Sequence, residues 1–157
     1  KEIRSFNDSL NTTYVGYGRR GKRRMKMQSL QDNNAAGQAG AVAVERSIVK
    51  SKKSYNNSTW DIIDAVEEEG EEMLDQLKIE DLPEELKGKS EKEIKKYIEN
   101  KKQKRVYYQK NIAELAKKRE MFISEEMKKR SNNSAEDDFG TAVSKSIKER
   151  AKMLGYQ

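Results

Sequence analysis

From Glu91 to Arg130 the chain has neither proline nor glycine, and Ile94, Ile98, Tyr108, Ile112, Leu115 and Phe122 recur at steps built from three, four and seven residues with charges between them. This spacing sets the apolar side chains on one face of a helix that nothing in the segment interrupts. At 1.5 Å rise per residue such a helix is about 60 Å long, more than the diameter of a small globule. It must protrude, bend or lie along a partner. The seam is narrow, so its burial has to come from another helix, expected to be Lys22–Ser54 of the same chain or of a second copy. A homo-oligomer through the long helix is therefore one expectation.

The flanking signals are helical as well. Ser90 and Glu93 form a capping box at the start of the long helix, and Pro83 suits a first helical position with Gly88 as the stop. Upstream, Ile3, Phe6 and Leu10 mark a short helix to about Thr13, after which Gly16, Gly18 and Gly21 read as a linker or exposed turn. Beyond the polar run SNNSAEDDFG, the residues Phe139, Val143, Ile147 and Leu154 mark a last amphipathic helix that Gly155 terminates. The division is an N-terminal helix and basic Gly-rich linker over 1–21, then a helical module over 22–157 with its long helix at 91–130 and a C-terminal helix at 138–154. No internal repeat is found.

Between these lies QDNNAAGQAGAVAVERSIVKSKKSYNNSTWDIIDA, Gln31 to Ala65. Leu30, Gly37, Ala41, Val44 and Ile48 share one helical face, and Ala36, Gly37, Gly40 and Ala41 allow another helix to come close to it. Tyr55–Ser58 break the pattern. Ser58 or Thr59 then caps a helix in which Trp60, Ile63 and Ala65 face inward and Asp61 and Asp64 sit near the positive N-terminus, with Gly70 expected to end or bend it. The stretch reads as a helical hairpin with Trp60 as the plug between helices. Only 34% of the 157 residues are hydrophobic and 38% are charged, thin supply for a deep core. The predicted fold is all-α, an elongated helical bundle or long helical hairpin carrying a short capped helix that contains Trp60.

Histidine and cysteine are both absent. That removes disulfides, thiolate catalysis, Ser-His-Asp and Cys-His triads, and most transition-metal sites. No cofactor, metal or enzymatic activity is expected. No apolar run approaches the roughly 20 residues that cross a bilayer, and KEIRSFNDSL lacks the apolar core of a signal peptide. The start at Lys1 reads as that of a fragment.

The sharpest charge feature is RRGKRRMK, where Arg19, Arg20, Lys22, Arg23, Arg24 and Lys26 cluster beside Tyr14 and Tyr17. Such a cluster can hold a nucleic-acid backbone or an anionic membrane surface, or be a solvated linker. The opposing stretch Asp61, Asp64, Glu67, Glu68, Glu69, Glu71, Glu72 and Asp75 has no calcium-loop spacing, and is expected to complement basic segments of the same chain. Packing roles fall to Trp60, Gly37, Ala41, Val44, Ile48, Ile112, Leu115 and Phe122, with Met25, Met27 and Met121 filling gaps. Glycosylation tripeptides begin at Asn11, Asn56, Asn57 and Asn132, as freely happens in an Asn-rich chain.

The order LNTTYVGYG, the stretch from Gln31 to Ala65, DLPEELKGKSEKEIKKYIENK, and a Lys/Glu helix ending near KREMFISEEMKK resembles the C-terminal region of bacterial proteins that carry a von Willebrand factor type A (vWA) domain. In that family a signal peptide and an α/β domain with a metal-dependent adhesion site precede this region. The resemblance implies a periplasmic or extracellular protein with a role in adhesion or assembly, and a protein partner or the parent vWA domain as what the helices bind. The adhesion-site signature Asp-x-Ser-x-Ser is missing, so no metal ligand carries over to any residue here.

Overall fold

The computed structural model of the protein describes residues 1–133 and 138–153. The fold is all-α, with α1 (Glu2–Asn11), α2 (Gly21–Gln38), α3 (Gly40–Lys50), α4 (Ile62–Glu69), α5 (Met73–Gln76), a 3-10 turn at Ile79–Asp81, α6 (Glu91–Asn133) and α7 (Asp138–Met153). No strand occurs among the described residues; a single antiparallel bridge joins Gly16 to Asp61. Lys1–Ala116 form one compact unit, and a second begins at Lys117.

The first unit is organised by α1 and the opening turns of α6. Lys101 Nζ donates to the Thr12 carbonyl and Arg105 to that of Thr13, while Phe6 meets the rings of Tyr107 and Tyr108, so α1 runs antiparallel to α6. Ile3, Leu10, Tyr14, Trp60 and Ile112 form one apolar cluster, joined by Phe6, Val44, Ile48, Tyr108 and Leu115. Val15, Ile62, Ile63, Ala65, Met73, Leu86 and Ile98 form another, joined by Ile94 and Tyr97. Helix α6 thus contributes to both. The bridge explains why: Ile62 N–H donates to the Val15 carbonyl and Tyr17 N–H to that of Trp60, which pins the segment after α1 between the clusters.

Local chemistry sets the ends. Ser90 and Glu93 make the reciprocal capping box, with Ser90 N–H donating to Glu93 Oε2 at 2.9 Å. Gly70 ends α4 at φ 91°, a left-handed conformation that glycine adopts without a Cβ penalty. Pro83 begins only a single hydrogen-bonded turn before Gly88, not a helix.

Several expectations need correction. Lys22–Ser54 is not one helix: Ala39 is extended, and α2 and α3 fold back on each other so that Arg46 and Lys50 reach Asp32. The hairpin turn lies at Ala39, where flanking glycines weaken the helix, rather than at Tyr55–Ser58. The small-residue face is open to solvent: Gly37 and Ala41 are exposed, and a Cβ on Gly37 would meet nothing within 4 Å. Trp60 is buried as expected, but in the turn before α4, whose cap is Asp61 rather than Ser58 or Thr59. The segment read as a linker is exposed only at its end: Tyr14 and Val15 are core residues, Gly16, Tyr17 and Gly18 are half-buried, and Arg19 and Arg20 are open to solvent. Gly16 and Gly21 touch so closely that a Cβ on Gly21 would lie 2.5 Å from the Gly16 carbonyl carbon. The α6 seam rests mainly on α1 and the Asp61 segment, with Val44 and Ile48 the contribution from α3. Phe122 is exposed. The Leu154 and Gly155 helix end and the side chain of Phe139 lie outside the described residues.

Candidate functional site

Two polar clusters are buried in the first unit; the sequence named Asp61 and Asp64 and expected a basic partner for them in the same chain, but neither Arg105 nor the second cluster was among the candidates. The first is centred on Arg105 of α6, 4% exposed. Its Nη1 donates to Asp61 Oδ2 at 2.6 Å and Asp64 Oδ1 at 2.5 Å, Nη2 to the Thr13 carbonyl at 2.8 Å and Nε to Thr13 Oγ1 at 3.1 Å. Asp61 also accepts from Val15 N–H at 2.7 Å and from Asp64 N–H, capping α4. Burial raises the Asp61 carboxyl above its ordinary value, against the pull of Arg105. Burial works against the Arg105 charge too, yet the two carboxylates hold that guanidinium more firmly protonated than usual. The arrangement clamps α6 onto the α4 cap and the turn after α1. It leaves the guanidinium nitrogens engaged with the protein itself.

The second cluster joins α1, α2 and α3 around Asp32. Arg46 Nε donates to its Oδ1 at 2.6 Å, while Oδ2 accepts from Lys50 Nζ at 2.6 Å, Asn11 Nδ2 at 2.7 Å and Asn7 Nδ2 at 3.2 Å. Lys50 Nζ also donates to Asn11 Oδ1, and the whole Lys50 residue is 0% exposed. Burial opposes the Asp32 charge, but hydrogen bonds from Lys50 and Asn11 and the Lys50 charge bring its pKa below the ordinary carboxylate value. Burial lowers the Lys50 pKa despite Asp32 beside it. A polar cavity of about 330 Å³ adjoins the cluster, lined by Asn7, Asn11, Asp32 and Arg46 among others. Asn7 Oδ1 is buried with no hydrogen-bond partner. The Tyr14 ring links the clusters, with Arg105 4.4 Å and Lys50 Nζ 5.8 Å from its centre, and burial pushes its phenol well above the ordinary value.

The predicted basic residues lie elsewhere. Arg19 and Arg20 precede α2, and Lys22, Arg23, Arg24 and Lys26 occupy its first turns, all exposed. Arg20, Arg23 and Arg24 line a cleft of about 450 Å³ with Met27 and Gln31, and only Lys22 of this cluster pairs with an acid among the described residues, Glu84 at 3.5 Å. The acidic stretch divides: Asp61 and Asp64 are interior, Glu71 reaches Lys95, and no metal-holding group of acids is found among the described residues.

In the second unit, residues 117–133 of α6 carry exposed Met121, Phe122 and Met127, Phe122 at 64%, and α7 exposes Val143, Ile147 and Met153. No described helix is long and apolar enough to cross a membrane. Comparison with protein-family models, with curated proteins and with solved structures gives no match for this chain.

The missed residues had a signal. Ile98, Arg105 and Ile112 are spaced by sevens, as are Ala43 and Lys50, and Asn7 lies between Ile3 and Leu10 at helical steps. A polar residue in register with an apolar stripe is carried into the interior by its helix.

Proposed function

We propose that this chain is a non-catalytic helical interaction module, with the parent vWA-type domain of an extracytoplasmic adhesion or assembly protein as its partner. The observation that carries the reading is the exposed apolar set Met121, Phe122 and Met127 on an otherwise charged stretch of α6. Large apolar side chains exposed on a polar helix gain burial only from a second surface. Phe122 follows Leu115 by one heptad and so continues by sequence the apolar register of α6, while Met121 and Met127 fall on other sides of the helix. Asp61 and Asp64 support a binding role over catalysis on a substrate, because both are committed to Arg105 within the fold. The test is a photo-reactive amino acid at position 122 of the full-length gene product. Cross-links to the vWA domain are expected. Cross-links to a second copy would move the partner to a homo-oligomer, and none to any protein would remove the reading.

A second reading, a binder of nucleic acid or anionic surfaces, is favoured by the cleft of Arg20, Arg23 and Arg24, which faces solvent without an acid partner among the described residues. Affinity for such a polyanion falls steeply with salt, and neutralising the three arginines flattens that slope. No shift of a nucleic-acid probe or an anionic vesicle at low ionic strength would leave α2 a solvated helix.

A further inference from the structure

We propose that Lys50 and Asn11 are joined by an intramolecular isopeptide bond, formed by attack of the Lys50 Nζ on the Asn11 side-chain carbonyl carbon with Asp32 as proton carrier and ammonia as leaving group. Three observations carry it. Nucleophile and amide are already in contact: Nζ donates to Asn11 Oδ1, one C=O bond away from the carbon to be attacked, across 39 residues of sequence. Holding reacting groups in place converts an otherwise very slow encounter into an intramolecular step. Next, one oxygen serves both ends of the reaction. Asp32 Oδ2 accepts from Lys50 Nζ at 2.6 Å and from the Asn11 leaving nitrogen, Nδ2, at 2.7 Å. Finally, the leaving group has a way out. Asn11 and Asp32 line the polar cavity of about 330 Å³, which gives departing ammonia a path away from the new amide.

The step balances without an oxidant or a further reactant. Asp32 takes a proton from the Lys50 ammonium, and the freed lone pair forms the N–C bond at the Asn11 carbonyl carbon. The C–Nδ2 bond breaks as Asp32 returns that proton to Nδ2, and Asp32 Oδ2 then carries a second proton from the attacking nitrogen, cationic once bonded to carbon, to the departing ammonia. Of the three ammonium protons one stays on the new amide, and two leave with the former Nδ2 as an ammonium ion, so charge is conserved. Burial depresses the Lys50 pKa, which brings the neutral, nucleophilic amine within easier reach. Arg46 holds Asp32 through the other oxygen, Oδ1, so that Oδ2 faces the two reacting nitrogens, with Asn7 Nδ2 at 3.2 Å as its third donor. It also steadies the carboxylate anion, so the reaction is expected to be slow after folding. The product removes a buried positive charge and stitches α1 to α3.

Intact mass spectrometry of the purified full chain, aged at neutral pH, tests this, together with peptide mapping under denaturing conditions. The expected mass is lower than that of the sequence by one ammonia, with a branched peptide joining the segments around Asn11 and Lys50. Asp32→Asn, Asn11→Ala and Lys50→Met should each restore the mass expected for their own sequence. A folded, helical wild-type chain with full mass and unbranched peptides overturns the proposal. So does ammonia loss mapped to any other asparagine. Because the wild-type measurement decides either way, a variant that fails to fold does not blur the outcome.

Discussion

The two buried polar clusters solve the same problem with opposite stoichiometry. Around Arg105 one cation serves two carboxylates, Asp61 and Asp64; around Asp32 one carboxylate serves two cations, Lys50 and Arg46. The consequence is legible in the acids. Asp61 is almost wholly enclosed, and desolvation raises its pKa above 3.8, whereas Asp32, beside a cavity and with donors on both oxygens, falls below it. A carboxylate that shares a cation with another acid is less secure than one that has two cations and two amides. The Arg105 cluster is correspondingly the more fragile.

The largest expected effect follows from that fragility. Arg105→Met leaves two interior carboxylates without a counter-charge, and the cost is about 3–5 kcal/mol, measured by urea unfolding. Arg46→Met should cost only about 1–2 kcal/mol, since its side chain is 23% exposed and Asp32 keeps its other donors. Equal losses for the two would erase the distinction between the clusters.

Acidity separates them by sign. Asp32, its pKa depressed in the fold, contributes stability that is present above its unfolded value and lost as pH falls through the folded one. Asp61, its pKa raised, favours the folded state below its unfolded value, and that contribution is lost as pH rises through the folded one. Carboxyl-carbon NMR titration should therefore find Asp32 protonating below, and Asp61 above, the common reference of 3.8. Midpoints in the reverse order would contradict the geometry. The smallest effect concerns the hairpin that brings Asp32 to its cations. Gly37→Ala, in an open stretch of α2, should stabilise the fold by about 0.5–1 kcal/mol, read as a small rise in melting temperature.

Helix identity was legible where local chemistry decides it. The capping box at Ser90, the stop at Gly70 and the buried Ile98 and Ile112 all follow from residues within a turn or two of one another. The Ala39 break was not, because what folds α3 back onto α2 is a long-range ion pair from Asp32 to Arg46, and runs such as AAGQAGA are weak helix and weak turn alike. The sites were missed for a related reason. Arg105 and Lys50 look like solvated charges until their register with Ile98, Ile112 and Ala43 is taken as evidence, and even then the acids that neutralise them are far off in sequence. Phe122 erred in the opposite direction: its register with Leu115 is real, but the described residues supply nothing to cover it.

The Arg105 clamp has a consequence for synthesis of the chain. Asp61 and Asp64 leave the ribosome 44 and 41 residues before Arg105, which at about 5–20 residues per second is a delay of roughly two to nine seconds. Through that interval the α4 cap has its carboxylates and no cation, and closing an apolar interior over them is disfavoured. The nascent N-terminal half should stay open to proteases and chaperones until the first turns of α6 emerge, so that one arginine times the moment at which the head of the molecule can close.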